Sequence, residues 1–250
     1  WNNVDKQFNL DEETYYDVTE NVTYGSLSDD WYVTGVDTPT WVDGYEYLIK
    51  VRAIDRAGNI STETVTSKQF IYDTTKPQVK LVIPQETLST SPLPLRTLAT
   101  ITGTASDTSP GKVGWVELRI KDTVDNKFWS PSANDFITFT NPEDAWFVAL
   151  TTAAGWTSWQ YNFNENKWTE GKTYSIEARA KDLATNYDNL YSTSYFKWDK
   201  TPPTSAIVFP ENTKSYSVLP SISGTAKDLA GAAIGVGIFC LLYTSPSPRD

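Results

Sequence analysis

Three observations make this an all-β chain built from tandem β-sandwiches. Along Gly171 to Asp182, Tyr174, Ile176, Ala178 and Ala180 alternate with Ser175, Glu177, Arg179 and Lys181. That is the period-two signature of a strand with one buried and one wet face. The block from Gly171 to Pro203, GKTYSIEARAKDLATNYDNLYSTSYFKWDKTPP, has an earlier counterpart from Gly44 to Pro77, GYEYLIKVRAIDRAGNISTETVTSKQFIYDTTKP. A fixed-period self-match is the mark of a repeat architecture. Finally, no stretch carries a helical period, and turn residues punctuate the apolar runs at short intervals.

The alignment of the chain on itself sets the boundaries. Gly44, Tyr47, Arg52, Asp55 and Asn59 match Gly171, Tyr174, Arg179, Asp182 and Asn186, each 127 positions later. Trp41 meets Trp168 at the same spacing, and Trp1 and Phe8 meet Trp129 and Phe136 at 128. Residues 1–77 therefore read as a repeat lacking its first strands, and residues 78–203 as a complete one. In the complete repeat the expected strands are Val79 to Ile83, closed by Pro84, then Leu98 to Asp107 and Val113 to Asp122. Asp125-Asn126 offers a hairpin turn into Phe128-Trp129. Between Ser130 and Lys167 two shorter strands are expected, near Trp146 to Leu150 and Trp156 to Phe163, among Asn/Pro-rich loops. The Gly171 block supplies the last two strands. Residues 204–239 restart the pattern: AIVFP (206–210) matches KLVIP (80–84), and ISGTAKD (222–228) matches ITGTASD (101–107). The same offset puts Ile234, Val236 and Ile238 in a third strand. Residues 240–250, CLLYTSPSPRD, resemble a translated sequencing adapter of the kind carried by metagenomic reads; as an artefactual tail they are set aside from fold reasoning. They contain the one cysteine, Cys240.

The GTASD and GTAKD segments, the Gly-x-x-Tyr corners at Gly44/Tyr47 and Gly171/Tyr174, the Asp55-Arg-Ala-Gly-Asn59 loop, and the DTTKP and DKTPP linkers resemble the tandem immunoglobulin-like and fibronectin type III-like repeats of large bacterial surface proteins. The resemblance covers nearly all of residues 1–239. It implies immunoglobulin-like sandwiches, one complete and two truncated, in an extracellular or cell-surface protein. The middle repeat departs from the loop pattern, with Ala184-Thr185 where the first has Ala57-Gly58. Each unit is also longer than the roughly 100 residues usual for such sandwiches, so extra material is expected between Lys127 and Lys167.

Composition excludes several functions. The chain has no His, which removes the usual general base and the commonest metal ligand, and with them a Ser-His-Asp set. A net charge of -10 argues against nucleic-acid binding, which needs Lys/Arg patches. The run from Leu229 to Leu242 is too short to span a bilayer, so no membrane insertion is expected of this stretch. Met is absent, position 1 included, and the chain reads as a piece of a longer protein. No enzyme activity is expected.

Three sets of residues carry the remaining functional readings. The resemblance implies that the loops bearing Asp73, Asp107 and Asp182 meet at one pole, where hard oxygen ligands from three segments suit a Ca²⁺ clamp between neighbouring repeats in cis. The competing reading is that Asp after a strand is a good turn residue. Trp129, Trp146, Trp156, Trp159 and Trp168 would stack on sugars if exposed, making this a carbohydrate-binding accessory region of a polysaccharide-degrading enzyme. If buried they are core fillers, as the recurrence of Trp41 and Trp168 suggests. Tyr47 and Tyr174 are expected to form tyrosine corners. The leading expectation is a stalk or adhesin-like array facing a surface ligand or a host or matrix component.

Overall fold

The computed structural model describes residues 15, 33, 38–61, 67–188, 190–228 and 235–238. The matches of Trp1 and Phe8, the strand position of Ile234 and the 240–250 tail lie outside them.

In the first repeat, β1 (Tyr45–Lys50) and β2 (Ser67–Tyr72) form an antiparallel pair with Tyr47 opposite Phe70. The middle repeat carries eleven strands: β3 (Gln78–Ile83), β4 (Leu93–Leu95), β5 (Thr100–Ser106), β6 (Val113–Asp122), β7 (Lys127–Ser130), β8 (Asp135–Ile137), β9 (Phe147–Val148), β10 (Leu150–Thr151), β11 (Trp159–Asn162), β12 (Thr173–Asp182) and β13 (Ser192–Trp198). One sheet runs β10-β11-β5-β3; the other runs β4-β13-β12-β6-β7-β8, with β9 also on β6. In the third repeat β14 (Thr204–Phe209) pairs with β15 (Ser223–Lys227).

The two middle sheets close on one apolar core. Alternation on β6 and β12 sends Val116, Leu118, Ile120, Ile176, Ala178 and Ala180 inward to zero exposure, against Leu81, Ile101 and Trp159 of the facing sheet. Gly103 of β5 has no side chain for a physical reason: a Cβ there would collide with the Trp159 indole and the Lys80 carbonyl. Burial on this scale dominates the stability of a sandwich domain.

Three sequence expectations are corrected. The stretch from Ser130 to Lys167 holds the β8 strand and three single 3-10 turns (Pro142–Ala145, Ala154–Trp156, Glu165–Lys167), and its shorter strands are β9, β10 and β11. β4 is not among the expected strands, because three residues with a central Pro show no alternation; it is held by parallel pairing to β13. Gly235–Ile238 form no strand, and Val236 and Ile238 are exposed, since no sheet lies beside them among the described residues.

The expected wet face of β12 is half-covered. Trp146, following the first 3-10 turn, lies between the Arg119 and Arg179 guanidiniums, 4.5 and 4.2 Å from its ring centre. The arginines cross-pair with the opposing strand, Arg119 Nε to Glu177 at 2.7 Å and Arg179 Nε to Glu117 at 2.6 Å, and Glu143 accepts from both. Cation–π stacking with paired charges makes a polar face that packs rather than one that solvates.

Candidate metal centre

The first and second repeats meet where three chain segments converge. Asp182 ends β12, Asp107 follows β5 and Asp73 follows β2 in the linker; one carboxylate oxygen from each lies within 4.8 Å of the others. Local hydrogen bonding builds this geometry. Asp182, fully buried, accepts from the Asn186 amide N–H at 2.7 Å and from Asn186 Nδ2 at 2.8 Å. That same Nδ2 donates to the Asp73 carbonyl at 3.0 Å, tying the linker to the middle repeat. Asp73 Oδ1 accepts from Thr75 N–H and Oγ1, both at 3.0 Å. Asp107 Oδ1 accepts from Thr108 N–H at 2.8 Å, whereas its Oδ2 is buried with no partner among the described residues.

The donor set suits a hard cation. It is all oxygen, comes from three segments, and contains one buried oxygen lacking a proton donor; the three carboxylates would supply part of the six to eight oxygens that Ca²⁺ takes. Gly111 leaves the room: a Cβ there would stand 2.6 Å from Asp73 Oδ2 and 2.9 Å from Asp107 Oδ2. Electrostatics agree. Burial pushes the Asp107 carboxyl above its ordinary range, and the charges of Asp73, Asp182 and Asp43 push it further, against the Thr108 N–H. A group of like charges around a desolvated carboxylate is relieved by a cation or by a proton.

The pattern recurs along the chain. The loop after β1 repeats the Asp182 loop: Asp55 accepts from Asn59 N–H at 2.8 Å and Asn59 Nδ2 at 2.7 Å. Gly58 there has φ 88°, and Thr185 takes the same left-handed turn at φ 78°. At the next junction Asp199 and Asp228 stand in the places of Asp73 and Asp107, and partial desolvation and the Asp228 charge raise the Asp199 carboxyl.

A second set of acids, not singled out in the sequence, holds the linkers. Asp43 accepts from Thr74 N–H at 2.5 Å, Thr74 Oγ1 at 2.8 Å and Thr75 Oγ1 at 3.2 Å. Glu170 does the same for Lys200 N–H at 2.9 Å and Thr201 Oγ1 at 2.9 Å. These bonds, Thr74 N–H and Lys200 N–H foremost, draw both carboxyls below their usual range. The signal was present as an acid immediately before Gly44 and Gly171. Those glycines need φ 77° and 75° to turn into the strand, which positions the preceding acid under the linker.

The remaining site residues are structural. Val42 N–H donates to Tyr47 Oη at 2.7 Å and Thr169 N–H to Tyr174 Oη at 2.9 Å, so each phenol holds the chain five residues upstream. Trp41 stands edge-on to Tyr47 and Phe70 at 4.9 and 5.1 Å; Trp168 does so to Tyr174 and Phe196 at 4.7 and 5.0 Å. Trp129, Trp159 and Trp168 are buried, and Trp146 and Trp156 half-buried. Among the described residues no helix is long and apolar enough to cross a membrane.

Fold and junction together define a class: tandem all-β sandwich repeats joined by hydrogen-bonded acidic linkers. The repeats are immunoglobulin-like. Residues 157–233 match a family described as Bacterial Ig-like domain (group 3), a stretch that runs across the linker after β13 rather than stopping at it. Among solved structures, CopC from Methylosinus trichosporium OB3b aligns over 49% of this chain and 94% of its own at 12% identity and TM-score 0.31. The fibronectin(III)-like modules of Clostridium thermocellum CbhA align over 68% of this chain and 72% of theirs at 20% identity and TM-score 0.32. No curated protein matches the chain.

Proposed function

We propose that this chain is a non-catalytic structural or adhesive stretch of an extracellular or cell-surface bacterial protein, in which divalent cations stiffen the junctions between consecutive repeats. The observation that carries this reading is the convergence of Asp107 and Asp182, from two loops of the middle repeat, with Asp73 of the linker that precedes it, Asp107 Oδ2 being buried and without a partner among the described residues. Ca²⁺ bound by these three would supply the charge that lets the junction close, while Asn186, Thr75 and Thr108 hold the carboxylates in place. The ring and charge inventory supports a spacer too. Every described Trp is buried or half-buried, and the arginines on either side of Trp146 are ion-paired, while the exposed rings beside them are the tyrosines Tyr187 and Tyr191.

The test is thermal unfolding of the whole chain in EDTA and in millimolar Ca²⁺, beside small-angle scattering in the same two buffers. Ca²⁺ should raise the melting temperature and narrow the spread of end-to-end distances. If neither changes, the cation is absent from the mechanism and the linker bonds alone set the junction. Binding of soluble polysaccharide with quenching of Trp fluorescence would instead make this a carbohydrate-binding region.

A further inference from the structure

The first and last segments of the middle repeat are laced together side by side. Residues 79–95 advance along residues 188–199 in the same direction. Val79 N–H donates to Asp188 Oδ2 at 3.1 Å, and Leu81 N–H to Ser192 Oγ at 2.7 Å. Past Pro84 the chain crosses towards the other sheet. There Ser192 Oγ donates to Glu86, and Ser194 Oγ to the Gln85 carbonyl at 2.7 Å. Thr87 N–H donates to the Thr193 carbonyl at 3.3 Å. Its Oγ1 donates to the Tyr195 carbonyl and accepts from the Tyr195 N–H, both at 2.6 Å. β4 then continues in parallel register, Leu93 beside Phe196 and Leu95 beside Trp198. Asp199 N–H ends the row on the Leu95 carbonyl at 2.9 Å.

The small hydroxyls have a reason to be there. β3 is the edge of one sheet and β4 the edge of the other, so outward N–H groups of β3 have no strand to pair with. Ser192 and Ser194 occupy inward positions of β13, buried in the same row as Phe196 and Trp198, and reach across the gap between the sheets. An apolar side chain at Ser192 would leave Leu81 N–H without its acceptor.

Because the two segments run parallel, the linker from the first repeat enters at one end of this seam and the linker to the third leaves at the other. Tension between those neighbours acts on the two segments in opposite senses, along the strands and across the hydrogen bonds. The row then has to yield together. We propose that this seam is the load-bearing element of the chain, carrying tension between the flanking repeats as shear and holding the middle repeat folded under it. The proposal deepens the structural reading given above and does not depend on the cation.

Single-molecule force spectroscopy of the whole chain in EDTA tests it, with two attachment geometries. One holds the two termini. The other holds the amino terminus and position 190, through Leu190→Cys in a Cys240→Ser background. Leu190 is 79% exposed and its N–H donates to Asp188, so it lies at the same end of the seam as Val79, and this geometry opens the row bond by bond. Between the termini, residues 79–199 should give way in one step that lengthens the chain by about 40 nm. The force of that step should be more than about twofold that in the second geometry, since several bonds break at once rather than singly. Thr87→Val, which keeps the side chain's shape and removes its hydroxyl bonds, should lower the first force and leave the second unchanged, the bonds nearest Val79 setting the latter. Equal forces in the two geometries, or the same fractional loss in both with Thr87→Val, would overturn the proposal. A Ca²⁺ shift in melting temperature beside equal forces would sink the seam alone and leave the cation reading standing.

Discussion

The middle repeat and the β14–β15 hairpin share the same pairs, the same register shift and the same tightly packed glycine, yet differ in almost everything that sets stability. Leu81 is 1% exposed and its counterpart Ile207 is 74% exposed. The ladder is therefore a local property, written in AIVFP and ISGTAKD, whereas burial is supplied by strands far along the chain. A hairpin by itself is marginal, and a sandwich becomes stable when a second sheet closes over it.

The largest test of that division compares the two tryptophans at equivalent positions. Trp168→Ala empties a site that is 5% exposed and should cost about 3–5 kcal/mol in denaturant unfolding. Trp41→Ala, in the half-buried copy, should cost under about 1 kcal/mol on the same transition. Equal losses would mean that the first repeat is as fully packed as the middle one. Next in size, Gly103→Ala forces a methyl into the Trp159 ring and should cost about 1–3 kcal/mol. Gly224→Ala forces a comparable clash with a strand carbonyl, but in the exposed β14–β15 hairpin outside the middle core, and should leave the main unfolding transition where it was.

The loop pair allows a third comparison. Thr185 occupies a left-handed turn that its counterpart Gly58 adopts freely, and a β-branched residue there is strained by about 1 kcal/mol or more. Thr185→Gly should therefore stabilise the middle repeat by about 1 kcal/mol. A loss of stability would show that the threonine side chain contributes a contact worth more than the strain.

The smallest effect concerns pH at the first junction. The Asp107 carboxyl is held above its ordinary 3.8, so the folded state takes up a proton more readily than the unfolded one. The associated stability is complete below 3.8 and is lost as pH rises through the raised value. In EDTA the junction should consequently be firmer in mild acid than at neutral pH, and Asp107→Asn should raise the neutral melting temperature by a few degrees, on the order of 2–4 °C. The same variant should remove any Ca²⁺ shift. If the substitution leaves both unchanged, the like charges are already relieved by some other route.

Much of this was legible before any coordinates. β6 coincides with the expected Val113 to Asp122, because ten alternating residues between turns leave little ambiguity. The convergence of Asp73, Asp107 and Asp182 was reachable because the resemblance ordered the loops around one pole. What escaped has physical causes. The half-covered outer face depends on Trp146 crossing from a 3-10 turn onto charged residues of another strand, a contact with no periodicity to announce it. The strands β4 and β8 are three residues each and exist through their partners rather than their own alternation. The linker acids Asp43 and Glu170 lay in plain view beside their glycines, but only the left-handed turn shows why an acid belongs there.

The linker clamp also shows how force would pass between consecutive units. Thr74 and Thr75 are bound back to Asp43 of the outgoing repeat, while the Asp73 carbonyl accepts from Asn186 Nδ2 of the incoming one and Pro77 is fully buried there. The anchors to the two repeats thus alternate along the linker, and the residue preceding Pro77 has few backbone conformations open to it. A pull along the chain passes from strand to strand through a coupling stitched on both sides, with little slack to take up.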